Sequence, residues 1–156
     1  MRIEAILKRE EGFRSRPYLC TEGYVTVGLG TKLHSQLGQN PMDFPITVSL
    51  ETAEEWLRSK VAVIDMRLSK SKYGFAYDQL GDKQRVIVLS MAYQMGTVGV
   101  LKFEKMWEAL ISGDNHLAAQ EAMDSRWARQ TPERAERHAR VLQGESFESV
   151  YFPSTD

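Results

Sequence analysis

The chain has 156 residues, 42% hydrophobic and 26% charged, enough apolar material to bury the core of one domain. Its formal net charge of −1 removes any global electrostatic pull towards a polyanion, and no nucleic-acid motif is present. A single cysteine, Cys20, excludes an internal disulfide and a four-cysteine zinc site and points to synthesis in a reducing compartment.

The N-terminal run Met1-Arg2-Ile3-Glu4 lacks the apolar core of a signal peptide, so none is expected. The closest approach to an apolar span, Val86 to Tyr93, is far too short to cross a bilayer, and no stable membrane insertion is expected. Charge is uneven along the chain. Arginines 126, 129, 134, 137 and 140 face only Glu133 and Glu136 in the same stretch, which fits either a local contact with an anionic surface or a solvated helix face.

Residues 2–12 place Ile3, Ile6 and Leu7 at helical spacing, and Gly12 suits the stop after Glu10-Glu11. Pro17, Gly23, Gly28 and Gly30 then rule out a stable helix, while Tyr18-Leu19-Cys20 and Tyr24-Val25-Thr26-Val27 read as strands joined by Thr21-Glu22-Gly23. Residues 32–48 read as loop with one further short strand. Ser49 is a candidate N-cap for a long helix to about residue 70, with Ala53, Trp56, Leu57, Val61, Ile64 and Leu68 as its apolar stripe. After a break at 70–74, residues 82–95 form a helix whose Val86–Tyr93 segment is apolar all round, as a buried central helix requires. Shorter helices are expected over about 99–111, 114–123, 126–129 and 132–142, the last with Thr131 as N-cap and Pro132 at its first position. The fold class is therefore α+β: a small β-hairpin lobe over about 13–48 and a larger helical lobe over about 70–156, which takes in the N-terminal helix 2–12, joined by a long helix within a single domain spanning 1–156.

Among groups able to carry chemistry, Glu11 stands at a helix C-terminus, where the helix dipole disfavours a carboxylate unless a cation or a proton compensates it. Either compensation suits a general acid. Cys20 reads equally as a small buried side chain or as a nucleophile, and none of His34, His116 and His138 has a motif that would pair with it. Thr26 and Glu22 fit ordinary strand and turn positions. Gln94 ends the apolar helix and needs polar partners, which a substrate could supply, and Arg126-Trp127 fits an amphipathic anchor. No metal, nucleotide or other cofactor motif appears.

Three blocks in order resemble the phage-type lysozymes, a family of glycoside hydrolases that includes the T-even bacteriophage enzyme. They are Glu11-Gly12-Phe13-Arg14 with Pro17 to Gly30, Tyr93-Gln94-Met95-Gly96, and Ser125-Arg126-Trp127-Ala128-Arg129-Gln130-Thr131-Pro132-Glu133-Arg134-Ala135. The resemblance implies a lysozyme-like fold and an endolysin acting on bacterial peptidoglycan. It implies Glu11 as general acid, Cys20 in the second catalytic position, and Thr26 as holder of the attacking water or as a lining of the opposite face of the sugar. It further implies Glu22, Gln94 and Arg126 as contacts for the glycan or its peptide, with Arg134 as the cation paired with Glu11 and shared with Glu10. Cysteine stands where the T-even enzyme has aspartate, as in some relatives, and Thr31 replaces a histidine. The thiol leaves a retaining and an inverting route open, and the resemblance favours inversion. The remaining expectations are accumulation in the host cytoplasm with release through a holin-type membrane partner, or else a virion-borne role, together with a monomeric state and no cofactor. A non-catalytic wall-binding homologue and a cysteine amidase or peptidase acting on the stem peptide are the competing classes.

Overall fold

The computed structural model describes residues 2–154 and divides into two compact units, Met1–Ala62 and Val63–Asp156. In the first, α1 (Arg2–Glu11) buries Ile3, Ile6 and Leu7 and stops at Gly12, whose amide donates to Lys8 O at 3.1 Å. Gly12 takes φ +67°, the left-handed cap that a Cβ would penalise. Three antiparallel strands follow, β1 (Arg14–Leu19), β2 (Val25–Gly28) and β3 (Thr31–Lys32), in the order β1-β2-β3. Strand β1 begins four residues before the expected Tyr18, because its register slips between Arg14↔Gly28 and Tyr18↔Thr26. Pro17 lies in that slipped stretch and has no N–H to give the ladder, so the irregularity is tolerated there. A short 3₁₀ turn, Pro41–Asp43, is capped by Asn40, and Val48 N donates to Ser15 O at 2.9 Å.

Helix α2 (Leu50–Ser69) is the expected long helix, and the boundary between the units falls inside it. Ser49 caps it through Thr52 N at 3.1 Å. Ala53, Leu57, Val61, Ile64 and Leu68 form its buried stripe, whereas Trp56, placed in that stripe by sequence analysis, is exposed. Trp56 precedes Leu57, so it stands about 100° round the helix from the buried line. Helix α1 lies in the first unit together with the sheet.

The second unit is helical: α3 (Gly74–Gln79), α4 (Asp82–Met95), α5 (Thr97–Leu101), α6 (Glu104–Ser112), α7 (Asn115–Met123), α8 (Arg126–Gln130), α9 (Pro132–Leu142) and α10 (Phe147–Tyr151). Every residue of α4 from Val86 to Tyr93 is buried, as its all-round apolarity requires. Helix α9 packs on α4, α7, α8 and α10. The expected helix over 99–111 is two helices, broken at Lys102-Phe103. Trp107 Nε1 donates to Val100 O at 3.0 Å, which also accepts from Phe103 N at 3.2 Å, so this carbonyl at the end of α5 is satisfied without a continued helix. Thr131 precedes α9 without capping it; its hydroxyl donates back to Trp127 O at 2.9 Å and closes α8. The fold is α+β, a small antiparallel sheet with a predominantly helical remainder, of the lysozyme-like kind. No helix among the described residues is long and apolar enough to cross a membrane.

Candidate active site

Five of the eight candidate residues lie in the first unit. Glu10 and Glu11 end α1, both half-buried. The Glu11 carboxylate sits over Gly30: a Cβ built there would lie 2.7 Å from Glu11 Oε2 and 2.9 Å from its Cδ. Gly30 has φ +80°, so the turn from β2 to β3 needs glycine both for its conformation and for the room it leaves the carboxylate.

Alternation along the strands decides what else shares this face. Tyr18 pairs with Thr26, and Thr26 with Lys32, so the three side chains project from one side of the sheet. The ladder continues one step past β1, where Cys20 N donates to Tyr24 O at 2.9 Å, which puts Cys20 and Tyr24 at the same parity. Tyr24 O also accepts from Thr26 Oγ1 at 3.0 Å, so one carbonyl anchors both the Cys20 backbone and the Thr26 hydroxyl. With its proton engaged there, Thr26 Oγ1 offers lone pairs to any other donor. Thr26 is buried and Cys20 half-buried. Glu22, exposed in the hairpin turn, pairs with Lys32 Nζ at 3.6 Å, and that ammonium stands 4.4 Å over the Tyr24 ring.

Tyr18 is a member of this group that residue-level reading passes over. Its phenol is pushed up from its usual value by burial first and then by the Glu11 charge; Arg14 opposes the rise and Cys20 adds to it. Arg14 lies 4.4 Å over the Tyr18 ring. The phenol is thus within electrostatic reach of both Glu11 and Cys20. The sequence held the signal, since Tyr18 is two residues before Cys20 and opposite Thr26 in the hairpin register.

The other three candidates lie in the second unit. Gln94 Oε1 accepts from Trp127 Nε1 at 2.7 Å, so the amide oxygen has a partner within the protein. Arg126 precedes Trp127 at the exposed start of α8, where Ser125 caps the helix through Ala128 N. Arg134 is buried at 7% exposure, and its Nη2 donates to both Ser90 O and Ser90 Oγ at 3.1 Å. His138, one helical turn further on, places Nε2 at 2.8 Å from Ser90 Oγ, and its Nδ1 lies 2.7 Å from Tyr151 OH. No cluster of three or more His, Cys, Asp or Glu suited to a metal occurs among the described residues.

Burial, followed by the Arg134 and Arg137 charges, holds the His138 imidazole well below the usual histidine value of 6.5. The unfolded chain therefore takes up a proton near that value that the folded ring refuses, and stability falls as pH drops below it. Replacing His138 with Gln is expected to flatten this part of the dependence. Thermal melts between about pH 7 and 5 check it: the wild type should lose more Tm than the variant over that window, and parallel curves would contradict the assignment.

The chain belongs to the phage lysozyme family: the family profile matches residues 8–144. It is 30% identical over 165 residues to the pre-baseplate central spike protein Gp5 of Enterobacteria phage T4, which takes in 96% of this chain and 29% of that protein. The chain thus spans less than a third of that relative. It is 25% and 27% identical to the probable T4-type lysozymes 1 and 2 of Dictyostelium discoideum, over 90% of this chain and 93% of each of them. Family membership supports a lysozyme, muramidase-like function.

Proposed function

We propose that the chain is an endolysin that hydrolyses the β-1,4 bond between N-acetylmuramic acid and N-acetylglucosamine in bacterial peptidoglycan. The observation that carries the reading is the Glu11 carboxyl seated against Gly30, beside a sheet face that presents Tyr18, Cys20 and Thr26, in a chain of a lysozyme family. Glu11 is the general acid that protonates the departing glycosidic oxygen. Thr26, its proton held by the Tyr24 carbonyl, accepts a hydrogen bond from the attacking water, which Cys20 flanks on the same face. Water attack from the side opposite Glu11 inverts the anomeric centre. Glu22, Gln94 and Arg126 contact the glycan or its peptide. Arg134 and Glu10 are supporting residues of the reaction. The protein acts as a monomer, without a cofactor, and reaches the wall from the host cytoplasm through a holin-type partner, causing lysis.

Two assays on purified peptidoglycan test this. Reducing ends should appear while free amino groups stay constant; binding to walls without release of reducing ends would favour a non-catalytic homologue. New amino groups would favour an amidase or peptidase. Proton NMR of the first product should show the α-anomer, and a β-anomer would replace the water route with a covalent one through the Cys20 thiolate. Cys20→Ser then separates the routes a second time. It is expected to retain measurable activity if the residue only flanks a water, and to lose it if the thiolate is the nucleophile.

A further inference from the structure

The sheet face that carries Thr26 and Cys20 also carries two cations that the reaction proposed above leaves unused. The Arg14 guanidinium stands 4.4 Å over the Tyr18 ring, and Lys32 Nζ stands 4.4 Å over the Tyr24 ring. Strand register places both rings beside Thr26. Tyr18 is its partner across β1 and β2, and Tyr24 precedes it by two residues on the same face. Lys32 is its partner on the other side, across β2 and β3. Directly opposed residues have Cβ atoms about 5 Å apart, so the root of the Lys32 side chain adjoins Thr26. Two cation–tyrosine pairs therefore flank Thr26.

Neither charge is cancelled by its surroundings. Among the described residues the Arg14 guanidinium makes no hydrogen bond and no ion pair, and an aromatic face attracts a cation without carrying a net charge of its own. Lys32 Nζ lies 3.6 Å from Glu22 Oε2, too far for a hydrogen bond, with the two side chains 43% and 41% exposed. An exposed pair of this kind is weak and open to exchange, so Glu22 takes only a share of the ammonium. The three N–H groups of Lys32 and the five of Arg14 are left for an outside acceptor. Each ring meanwhile holds its cation over the face, where hydration alone would let a long side chain swing into solvent. The chain as a whole has a net charge of −1, so the attraction is local to this face. The ligand that suits a fixed guanidinium and ammonium, with no acceptor of their own, is carboxylate. Peptidoglycan offers it in two places: the free carboxyls of its stem peptides, and the lactyl group of muramic acid wherever no peptide is attached.

We propose that Arg14 and Lys32 are substrate-binding residues that hold carboxylates of the wall polymer on either side of Thr26. This rests on the reading of the Thr26 face given under the proposed function. The two cations draw the polymer onto the face and fix its place there. Their contacts are the same before and during the reaction, so they act on affinity and not on the chemical step.

The test measures binding and hydrolysis separately. Co-sedimentation with purified peptidoglycan is measured in the Glu11→Gln background, where substrate is not consumed, with and without Arg14→Gln and Lys32→Gln together. The values of kcat and KM are measured with Glu11 intact. Both altered side chains are exposed, so Tm is expected to hold. Removing the two charges should weaken binding by about tenfold at low salt and raise KM by a similar factor, with kcat little changed. The gap should close at about 1 M salt, where screening acts beyond about 3 Å. Converting the wall carboxyls to amides with carbodiimide and ammonia should abolish it. Arg14→Lys with Lys32→Arg, which keeps both charges, should bind like the parent. So should Arg58→Gln, which removes a cation of the same unit that pairs with Glu4 at 4.0 Å. Stripping the stem peptides with an amidase separates the two sources. A gap confined to intact walls assigns the peptide carboxyls, and a gap on stripped strands assigns the lactyl group. The proposal is overturned if the double variant binds both substrates as tightly as its parent, if the gap survives amidation of the wall, or if Arg58→Gln weakens binding as much. If wild type releases no reducing ends while the gap is present, the muramidase reading falls and the carboxylate-binding face stands.

Discussion

Glu11→Gln is expected to slow peptidoglycan hydrolysis by about 10²–10⁴-fold, the usual contribution of a positioned general acid. The amide keeps the shape of the carboxyl and can still lie over Gly30, so the loss isolates the transferable proton from the geometry. The same change should leave thermal stability intact or raise it. The C-terminal end of α1 carries the negative pole of the helix dipole, and replacing a carboxylate there with a neutral amide relieves an unfavourable interaction of about 0.3–1 kcal/mol. Release of reducing ends and thermal melts, run on the same preparation, check both halves. A variant that is slow because it is unfolded would lose Tm; a variant that keeps wild-type activity would remove Glu11 from the acid role.

Gly30→Ala carries the second large effect, and it acts by displacement instead of by removing a functional group. The added Cβ would approach Glu11 Oε2 to 2.7 Å and Cγ to 3.2 Å, and the atoms it meets form the far end of a flexible side chain. The carboxylate therefore moves and the backbone of α1 stays. A shift of about 1 Å at a reacting group costs on the order of 10²-fold in rate, so activity should fall by about that much. The φ of +80° adds a separate conformational cost of about 1–2 kcal/mol, read as a lower Tm. Gly12→Ala is the matched control. It has the same backbone conformation at φ +67° with nothing within 4 Å of the built Cβ, so it should lose a similar amount of Tm and keep far more activity. Equal activity losses in the two variants would mean that Gly30 serves the turn and not the carboxylate.

Much of this architecture is legible in the sequence, where local chemistry and packing agree. Ser49 caps α2, the Val86–Tyr93 run is buried on all sides, and Gly12 ends α1, because each signal is either a hydrogen bond within one turn or an uninterrupted apolar stretch. The hairpin is legible from its glycines and β-branched residues. The early start of β1 is not, because the slip at Pro17 follows from pairing with β2. The break at Lys102-Phe103 has no glycine or proline to mark it and depends on Trp107 reaching back to Val100 O. Helices α3 and α10 are too short for periodicity to show, though Ser146, which accepts from Ser149 N, is a local cap that could have pointed to the second.

The candidate site divides in the same way. Glu11, Cys20 and Thr26 become prominent through the resemblance of their surrounding motif, since a single glutamate or threonine says little alone. Tyr18 needs the hairpin register before its position opposite Thr26 has meaning. The His138 line was out of reach, because Ser90, His138 and Tyr151 stand on three helices and only tertiary packing brings them to Arg134.

The bond that is cut is the central claim, and the identity of the new reducing sugar tests it most directly. Purified peptidoglycan digested with the chain is reduced with borohydride, hydrolysed and analysed by mass spectrometry. Muramitol, with no rise in free amino groups, is the predicted product of cleavage on the reducing side of N-acetylmuramic acid. Glucosaminitol, or new amino groups without any reduced sugar, would contradict it.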